Sequence, residues 1–209
     1  MELKSALMAR ASVRQYTSDA VAVDDLREMV RLAGLAPSVN NSQPWKFIAI
    51  VNPALLHEMG KAVHEKLSSL FINGTCKQAT DVITKVDWFS TFFADAPAVI
   101  AVCKRPYEAV IDDALQFGDL THDQLNVLRG MPDIQSLGAA TENLLLAAVD
   151  LGYGACWLSG PLVARDELQA VLSIQDPWTL AAMVAVGRPA GEAQQKPKKD
   201  LDEIFELRG

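Results

Sequence analysis

Four short apolar runs, each bounded by turn-forming residues, constrain the fold of this 209-residue chain most strongly. They are residues 46–51 (K-F-I-A-I-V), 98–103 (A-V-I-A-V-C), 155–158 (A-C-W-L) and 180–186 (L-A-A-M-V-A-V). Short apolar runs without helical length are typical of buried β-strands. Half of the residues are hydrophobic, which is enough for a sizeable core, and the length favours one domain.

Helical patterns separate these runs. We predict helices over residues 2–9, 24–35, 133–151 and about 162–172, and another that begins at Asn52 and Pro53. Asp24 and Asn52 are the expected caps of their helices. The stripe expected after Asn52 consists of Leu55, Met59, Val63, Leu67 and Leu70. The helix over 133–151 is apolar nearly all round, which indicates burial in a core or between subunits.

The net charge is −7, which argues against a nucleic-acid or anionic-membrane surface. Cys103 and Cys156 lie in apolar runs and are expected in the core, and the three cysteines form no paired framework. A reducing, cytoplasmic setting fits this usage. The first ten residues do not have the pattern of a signal peptide, and no apolar run reaches the roughly 20 residues of a membrane span.

No metal site or catalytic triad is predicted. His57 and His64 are two helical turns apart, which is too far for one metal ion. Residues 104–130 are polar and acidic, with Asp112, Asp113, Asp119 and Asp123 beside His122, and the scatter of these carboxylates favours a solvated face. We expect this segment to be an excursion from the core that acts as a lid or substrate wall.

Residues 36–45 (A-P-S-V-N-N-S-Q-P-W) form a loop dense in amide and hydroxyl groups between a helix and a strand. Such a loop suits a flat ligand with polar edges. A turn that satisfies its own backbone is an equal alternative. A second open choice concerns Trp88, Phe89, Phe92 and Phe93, which either cover a ligand or pack in the core.

Two basic clusters stand out against the acidic background. If residues 10–16 are extended, Arg10, Ser12 and Arg14 share one side and form a phosphate grip, although a solvated basic turn is the alternative. The second cluster is K-P-K-K at residues 196–199, in a polar tail. The apolar residues Leu201 and Phe205 of this tail indicate that it packs against another surface. Two cationic clusters far apart in an acidic chain suggest a shared anion.

Four motifs together give the chain a family resemblance. They are R-A-S-V-R-Q-Y at 10–16, the 36–45 loop, the helix S-L-G-A-A-T-E-N-L-L-L-A-A, and L-G-Y-G-A-C-W-L-S-G followed by V-G-R-P and K-P-K-K. In this order and spacing they resemble the nitroreductase family of FMN-dependent oxidoreductases. The resemblance implies an α+β fold, a three-layer α/β/α sandwich with a central, mostly antiparallel sheet. It also implies one domain over 1–209, with the 104–130 excursion and a C-terminal arm over about 190–209, in an intertwined homodimer.

The resemblance also implies the cofactor-binding residues, with two FMN sites at the dimer interface. Arg10, Ser12 and Arg14 match positions that hold the flavin phosphate and ribityl chain, and Lys196 and Lys198 match basic positions that reach the same phosphate. The partner's loop, against the flavin ring, corresponds to Pro37, Ser38, Val39, Asn41 and Gln43. The strand end beside flavin N5 corresponds to Trp157, Leu158, Ser159 and Gly160. Ser136 and Asn143 lie on the helix behind the site.

The implied activity is a ping-pong reaction that passes hydride from NADH or NADPH through flavin N5 to a nitroaromatic, quinone or similar acceptor, without a catalytic side chain. Two alternatives remain. One is a flavin enzyme of the same fold with different chemistry, such as dehalogenation or flavin cleavage. The other is a protein that stores or senses FMN without turnover. Ser159 replaces an acid found in some branches, and Phe89, Phe92 and Phe93 occupy a region that is polar in others.

Overall fold

The computed structural model describes residues 1–71, 77–107, 109, 111, 112 and 119–209. The strands form one antiparallel sheet in the order β1-β2-β4-β3. They are β1 (Trp45–Ile50), β2 (Ala98–Lys104), β3 (Gly154–Leu158) and β4 (Thr179–Gly187). Each predicted strand is confirmed, and no strand end differs from the prediction by more than one residue. The long central strands β2 and β4 are almost entirely buried, as their unbroken apolar sequences require.

Helices cover both faces of the sheet. In chain order they are α1 (Leu3–Ala9), α2 (Val23–Ala33), α3 (Pro53–Leu70), α4 (Lys77–Thr91), α5 (His122–Leu128), α6 (Pro132–Asp150), α7 (Arg165–Val171) and α8 (Leu201–Ile204). One core packs α3 and α7 against Val99 and Ala101 of β2. The other packs α2 and α6 against Ala98 and Ile100, because successive residues of a strand point to opposite faces. This confirms the predicted three-layer α+β sandwich.

Two details of the predicted helices are wrong. The N-cap of α2 is Ala22, without a side-chain hydrogen bond, and Asp24 lies inside the first turn, where its carboxylate contacts Arg27 at 3.3 Å. Asn52 does cap α3, and its Oδ1 accepts from the backbone N–H of Ala54 at 3.0 Å. The buried stripe of α3, however, starts at Leu56 instead of Leu55 and excludes Leu70.

Glycine at position 60 explains which face of α3 turns inward. A Cβ atom at Gly60 would lie 2.8 Å from the Cβ of Ala94, so the helix approaches the turn at residues 92–95 more closely than any other residue would allow. This close approach places Leu56, Met59 and Val63 in the core. Helix α4, in a region that the sequence pattern did not assign, carries Trp88 and Phe89 on its exposed side.

Strand pairing brings two candidate segments to the same end of the sheet. Trp45 pairs with Lys104, Lys104 pairs with Thr179, and Leu158 at the end of β3 pairs with Met183 of β4. The loop before β1 and the turn after β3 therefore project from one end of the sheet, at opposite edges. With about 4.8 Å between neighbouring strands, the two edges lie about 14 Å apart.

The C-terminal arm is exposed along its whole length from residue 190 to residue 209. Leu201, Ile204, Phe205 and Leu207 are each more than 60% exposed. No described helix is both long enough and apolar enough to cross a membrane. Of the acidic residues in the 104–130 excursion, Asp113 lies outside the described residues.

Candidate functional site

The segment 10–16 runs along the free edge of β3. The backbone N–H of Val13 donates to the carbonyl oxygen of Ala155 at 3.0 Å. Ala11 and Val13 are buried, whereas Arg10, Ser12 and Arg14 face outward, which confirms the predicted alternation. The close approach depends on Gly154, since a Cβ atom there would lie 2.6 Å from the Cγ2 atom of Val13.

The C-terminal arm meets this segment through one side chain. The amide Nε2 of Gln195 donates to the carbonyl oxygens of Leu7 at 2.7 Å and Arg10 at 2.8 Å. Lys196 follows directly, so the N-terminal and C-terminal basic clusters adjoin at the same place on the surface. Sequence reasoning identified both clusters but not this contact, because nothing distinguishes Gln195 from the other polar residues of the tail.

The cations of the two clusters are poorly compensated. Nε of Arg10 lies 3.7 Å from a carboxylate oxygen of Glu142, a long ion pair at the edge of the cluster. Among the described residues, Arg14 has no carboxylate partner: its guanidinium contacts the carbonyl oxygen of Ser12 at 3.3 Å and lies 5.4 Å from the ring centroid of Phe89. Unpaired positive charges held this close together are suited to binding an anion.

Two cavities adjoin Arg14 and Phe89, which line both of them. The first, of about 320 Å³, extends over Ser12 and Trp88 towards residues 191–194 of the arm. The second, of about 350 Å³, extends along the end of β3 from Cys156 to Gly160 and also touches Lys85. The predicted basic residues and the predicted strand-end residues thus border one continuous region of the surface.

The turn after β3 packs tightly against α4. Trp157 is 42% exposed and Leu158 is buried, while Ser159 and Gly160 are exposed. A Cβ atom at Gly160 would lie 2.7 Å from Oγ of Ser90, so only glycine lets the two segments meet in this way.

The aromatic cluster is divided between core and cavity. Phe92 and Phe93 are buried in the core, although Phe92 also borders the second cavity. Trp88 and Phe89 are nearly half exposed; Trp88 lines the first cavity and Phe89 lines both. Ser90 and Lys85 are therefore candidate site residues that the sequence pattern did not assign, and Phe89 is one that it left open.

The two titratable side chains next to the basic clusters, Cys156 and Tyr16, are uncharged. Burial raises the pKa of the Cys156 thiol, although Arg14 and Ser12 oppose this shift, so the sulfur remains protonated and is a poor nucleophile. Burial likewise raises the pKa of Tyr16, whose hydroxyl donates to the carbonyl oxygen of Val13 at 2.6 Å. The charge of this region therefore comes from the arginine and lysine side chains and from the carboxylates of Glu142 and Glu192, and the buried thiol and the phenol add none.

The loop at residues 36–45 has a fixed shape. The backbone N–H of Val39 donates to Oγ of Ser136 at 3.0 Å, and the N–H of Gln43 donates to Oγ of Ser38 at 3.0 Å. Asn40, Asn41 and Gln43 all have positive φ, a conformation that needs surrounding support. The loop satisfies part of its own backbone, as one sequence alternative supposed, yet Pro37, Asn41 and Gln43 remain exposed.

Within one chain, the loop and the basic region remain apart. No hydrogen bond, ion pair or ring contact among the described residues joins residues 36–45 to Arg10, Arg14 or Trp157. Asn143 of α6 donates to the carbonyl oxygen of Leu32 at 3.5 Å and links α6 to α2.

The 104–130 excursion contains a buried polar cluster and no cluster of potential metal ligands among its described residues. Asp133, only 1% exposed, accepts from Nζ of Lys104 at 2.6 Å and from Nδ2 of Asn126 at 2.9 Å. Burial alone would raise the pKa of Asp133, but these hydrogen bonds outweigh it and hold the pKa below its usual range.

Comparison with known proteins shows the family of this chain. Residues 7–188 match the family model described as the nitroreductase family. The chain belongs to the nitroreductase family.

Three relatives show the range of this family. A BluB-like flavoprotein from Clostridium difficile is 31% identical over the whole of both chains, with a TM-score of 0.90. An Archaeoglobus fulgidus protein named as an NADH dehydrogenase/NAD(P)H nitroreductase is 27% identical over 190 residues, covering 89% of this chain and 84% of the relative. An iodotyrosine deiodinase structure with bound FMN and 3-iodo-L-tyrosine has a TM-score of 0.71 and 19% identity, covering 99% of this chain and 97% of the other.

Proposed function

We propose that this protein is an FMN-dependent oxidoreductase that takes electrons from NADH or NADPH and reduces a nitroaromatic, a quinone or a similar conjugated acceptor. One observation carries the proposal: the Gln195 side chain joins the C-terminal arm to Arg10, so that two basic clusters from distant parts of an acidic chain adjoin. A phosphate-bearing cofactor accounts for this arrangement, and FMN is bound in structures of the same fold.

The predicted residues have distinct roles in the proposed site. Bound FMN would supply hydride acceptance and donation at N5 of its ring. The phosphate and ribityl chain would be held by Arg10, Ser12, Arg14, Lys196 and Lys198. The ring would lie beside Trp157, Leu158, Ser159 and Gly160, with Ser136 supporting the loop from behind.

The residues present fit such a group. Arg14, Lys196 and Lys198 have no carboxylate partner among the described residues, so they are free to neutralise a phosphate. The buried thiol of Cys156 stays uncharged and does not repel an anion. Positive charge in this region would also stabilise an electron-rich cofactor relative to its oxidised form.

A homodimer completes the proposal. The loop residues Pro37, Ser38, Val39, Asn41 and Gln43 lie at the opposite edge of the sheet from Trp157, so a second copy would have to supply them to the same ring. Two surfaces support such an assembly: the outer edge of β1 has no paired strand among the described residues, and the C-terminal arm exposes Leu201, Ile204, Phe205 and Leu207.

Reductive dehalogenation is the second candidate, and the likeness to iodotyrosine deiodinase favours it. In both cases the protein would bind FMN, and only the electron acceptor would differ. Cleavage of the flavin itself and storage of FMN without turnover are the remaining alternatives.

The first experiment is a visible spectrum of the purified protein, followed by anaerobic addition of NADH or NADPH. Bleaching of a yellow protein, and its return on addition of a nitroaromatic or quinone, is the expected result. Return only with an iodinated phenol would support dehalogenation. A yellow protein that stays oxidised would favour storage, and a protein that cannot be loaded with FMN would overturn the proposal.

A further inference from the structure

A cavity of about 820 Å³ lies beside the 36–45 loop, on the side away from the basic clusters. Its lining residues are Asn40, Ser42, Arg105, Pro106, Tyr107, Asp112, His122 and Pro177. They come from the loop, from the chain after β2 and from the chain before β4. Because Trp45, Lys104 and Thr179 are neighbours in the sheet, these three segments meet at one end of it.

Arg105 is the principal charged group of this cavity. Its backbone N–H donates to the carbonyl oxygen of Pro44 at 3.0 Å, which fixes the chain against the loop. Its guanidinium lies 5.6 Å from the ring centroid of Trp178 and has no carboxylate within ion-pair distance among the described residues. The aromatic ring holds the side chain in place without neutralising it.

Two hydroxyl groups at the cavity are available to a ligand. Oγ of Ser42 makes no hydrogen bond to another described residue. Tyr107 is 4% exposed, and its hydroxyl lies near the guanidinium of Arg129. A buried hydroxyl without a partner destabilises the protein, and a ligand that accepts its hydrogen bond removes that cost. Both groups can donate to an acceptor oxygen.

The acidic groups nearby are already engaged. Asp112 uses Oδ1 for Nδ1 of His122 at 2.9 Å and Oδ2 for the backbone N–H of Ala109 at 2.7 Å. Asp133 is similarly paired with Lys104. Arg129, 5.5 Å from the ring centroid of Tyr107, adds a further positive charge. Asp112 keeps its negative charge but both of its oxygens are occupied, so Arg105 and Arg129 are the charged groups left to attract a ligand, and they favour an anion.

We propose that this cavity binds the oxyanion group, a carboxylate or a phosphate, of a substrate, with Arg105 as its charge partner and Tyr107 and Ser42 as hydrogen-bond donors. The inference deepens the proposed function and rests on it, because the cavity adjoins the loop assigned to the flavin ring. Its volume is in the range of small-molecule sites. The oxyanion belongs either to the acceptor, as a carboxylate, or to the nicotinamide donor, as a phosphate.

Equilibrium binding tests this without turnover. Calorimetry would compare 4-nitrobenzoate with its uncharged methyl ester, and NADP⁺ with NAD⁺, which cannot donate hydride, on the protein as purified. We expect the acid to bind more tightly than the ester, and Arg105→Ala to weaken its binding about tenfold while changing the ester less than about twofold. Arg105→Lys should retain part of the preference. Arg27→Ala, at an exposed arginine on α2, is the control.

The variant Tyr107→Phe tests the contribution of the hydroxyl to ligand binding separately from its contribution to stability. Phenylalanine keeps the buried ring, so the melting temperature should not fall, while 4-nitrobenzoate binding should weaken severalfold. A loss confined to NADP⁺ and NAD⁺ would assign the oxyanion to the nicotinamide donor. Equal binding of acid and ester, with no effect of Arg105→Ala on any ligand, would overturn the inference. FMN content and anaerobic bleaching, recorded on the same samples, report separately on the proposed function.

Discussion

The side chain of Gln195 donates a 2.8 Å hydrogen bond to the backbone carbonyl of Arg10, a residue 185 positions earlier in the chain. With its second bond, to Leu7, this is the contact that brings Lys196 beside the arginines. The proposed site therefore depends on an uncharged side chain that was not among the predicted cofactor-binding residues.

Gln195→Ala should weaken FMN binding about fivefold, because two exposed hydrogen bonds that position the arm are lost, about 1 kcal/mol in all. The affinity would be measured by the recovery of flavin fluorescence on dilution. Trypsin cleavage after Lys198 and Lys199 should accelerate in the same variant. Gln175→Ala, at another exposed glutamine, should change neither quantity, and an unchanged cleavage rate in Gln195→Ala would show that the arm is held by other contacts.

Arg14→Ala should reduce FMN affinity more strongly, by about 2 kcal/mol or about thirtyfold, because it removes an unpaired charge from the proposed phosphate site. Arg14→Lys should restore part of the affinity but not all of it, since an ammonium group cannot contact two phosphate oxygens in the same way. Flavin content after gel filtration gives the readout. Equal retention of FMN by all three proteins would remove Arg14 from the site.

Gly160→Ala should destabilise the protein by about 1–3 kcal/mol, because the new methyl group would lie 2.7 Å from Oγ of Ser90. Ser90→Ala in the same chain should recover most of that loss, since the remaining Ser90 atoms lie 3.5 Å away. Urea unfolding of the two single variants and the double variant measures the coupling. Additive effects would contradict a direct contact between these positions.

Asp133→Asn should lower the free energy of unfolding by about 3 kcal/mol, because it leaves Lys104 without its charge partner in a largely buried setting. The pKa of Asp133 is lower in the folded protein than in the unfolded chain, so its contribution is present above about pH 4 and is lost as the pH falls below that value. The variant should lose this acid dependence. Asp24→Asn, at a carboxylate that is 91% exposed, should keep it and change stability little.

Truncation after Lys199 should shift the protein from dimer to monomer, because it removes the exposed apolar residues of the arm. Light scattering during gel filtration would measure the mass. Substitution of Leu201 and Ile204 by serine, which keeps the chain length, should act in the same direction. A full-length protein that is already monomeric at micromolar concentration would contradict the proposed dimer.

The sequence predicted the strands well because their apolar runs are unbroken, so burial on both faces left little ambiguity in β2 and β4. It failed at α2, where Asp24 looked like a cap, because aspartate is also favourable inside a first turn. It gave no assignment for α4, whose Trp88 and Phe89 are exposed and break any simple apolar stripe.

The candidate site was predictable in its charged parts and not in its neutral ones. Arg10 and Arg14 stood out because positive charge is uncommon in this chain. Ser90 and Tyr107 did not, because their importance comes from one close approach and from one place in the wall of a cavity, which only three-dimensional packing produces.

The pairing of Gln195 with Arg10 also fixes the order in which this protein can be assembled. Arg10 leaves the ribosome early and must wait until nearly all of the described chain has been synthesised before the arm reaches it. During that interval Arg10 and Arg14 lack the lysines of the arm. In the proposed site, a chain that ends before residue 195 would have neither Lys196 nor Lys198, so we expect it to hold FMN less tightly than the full chain.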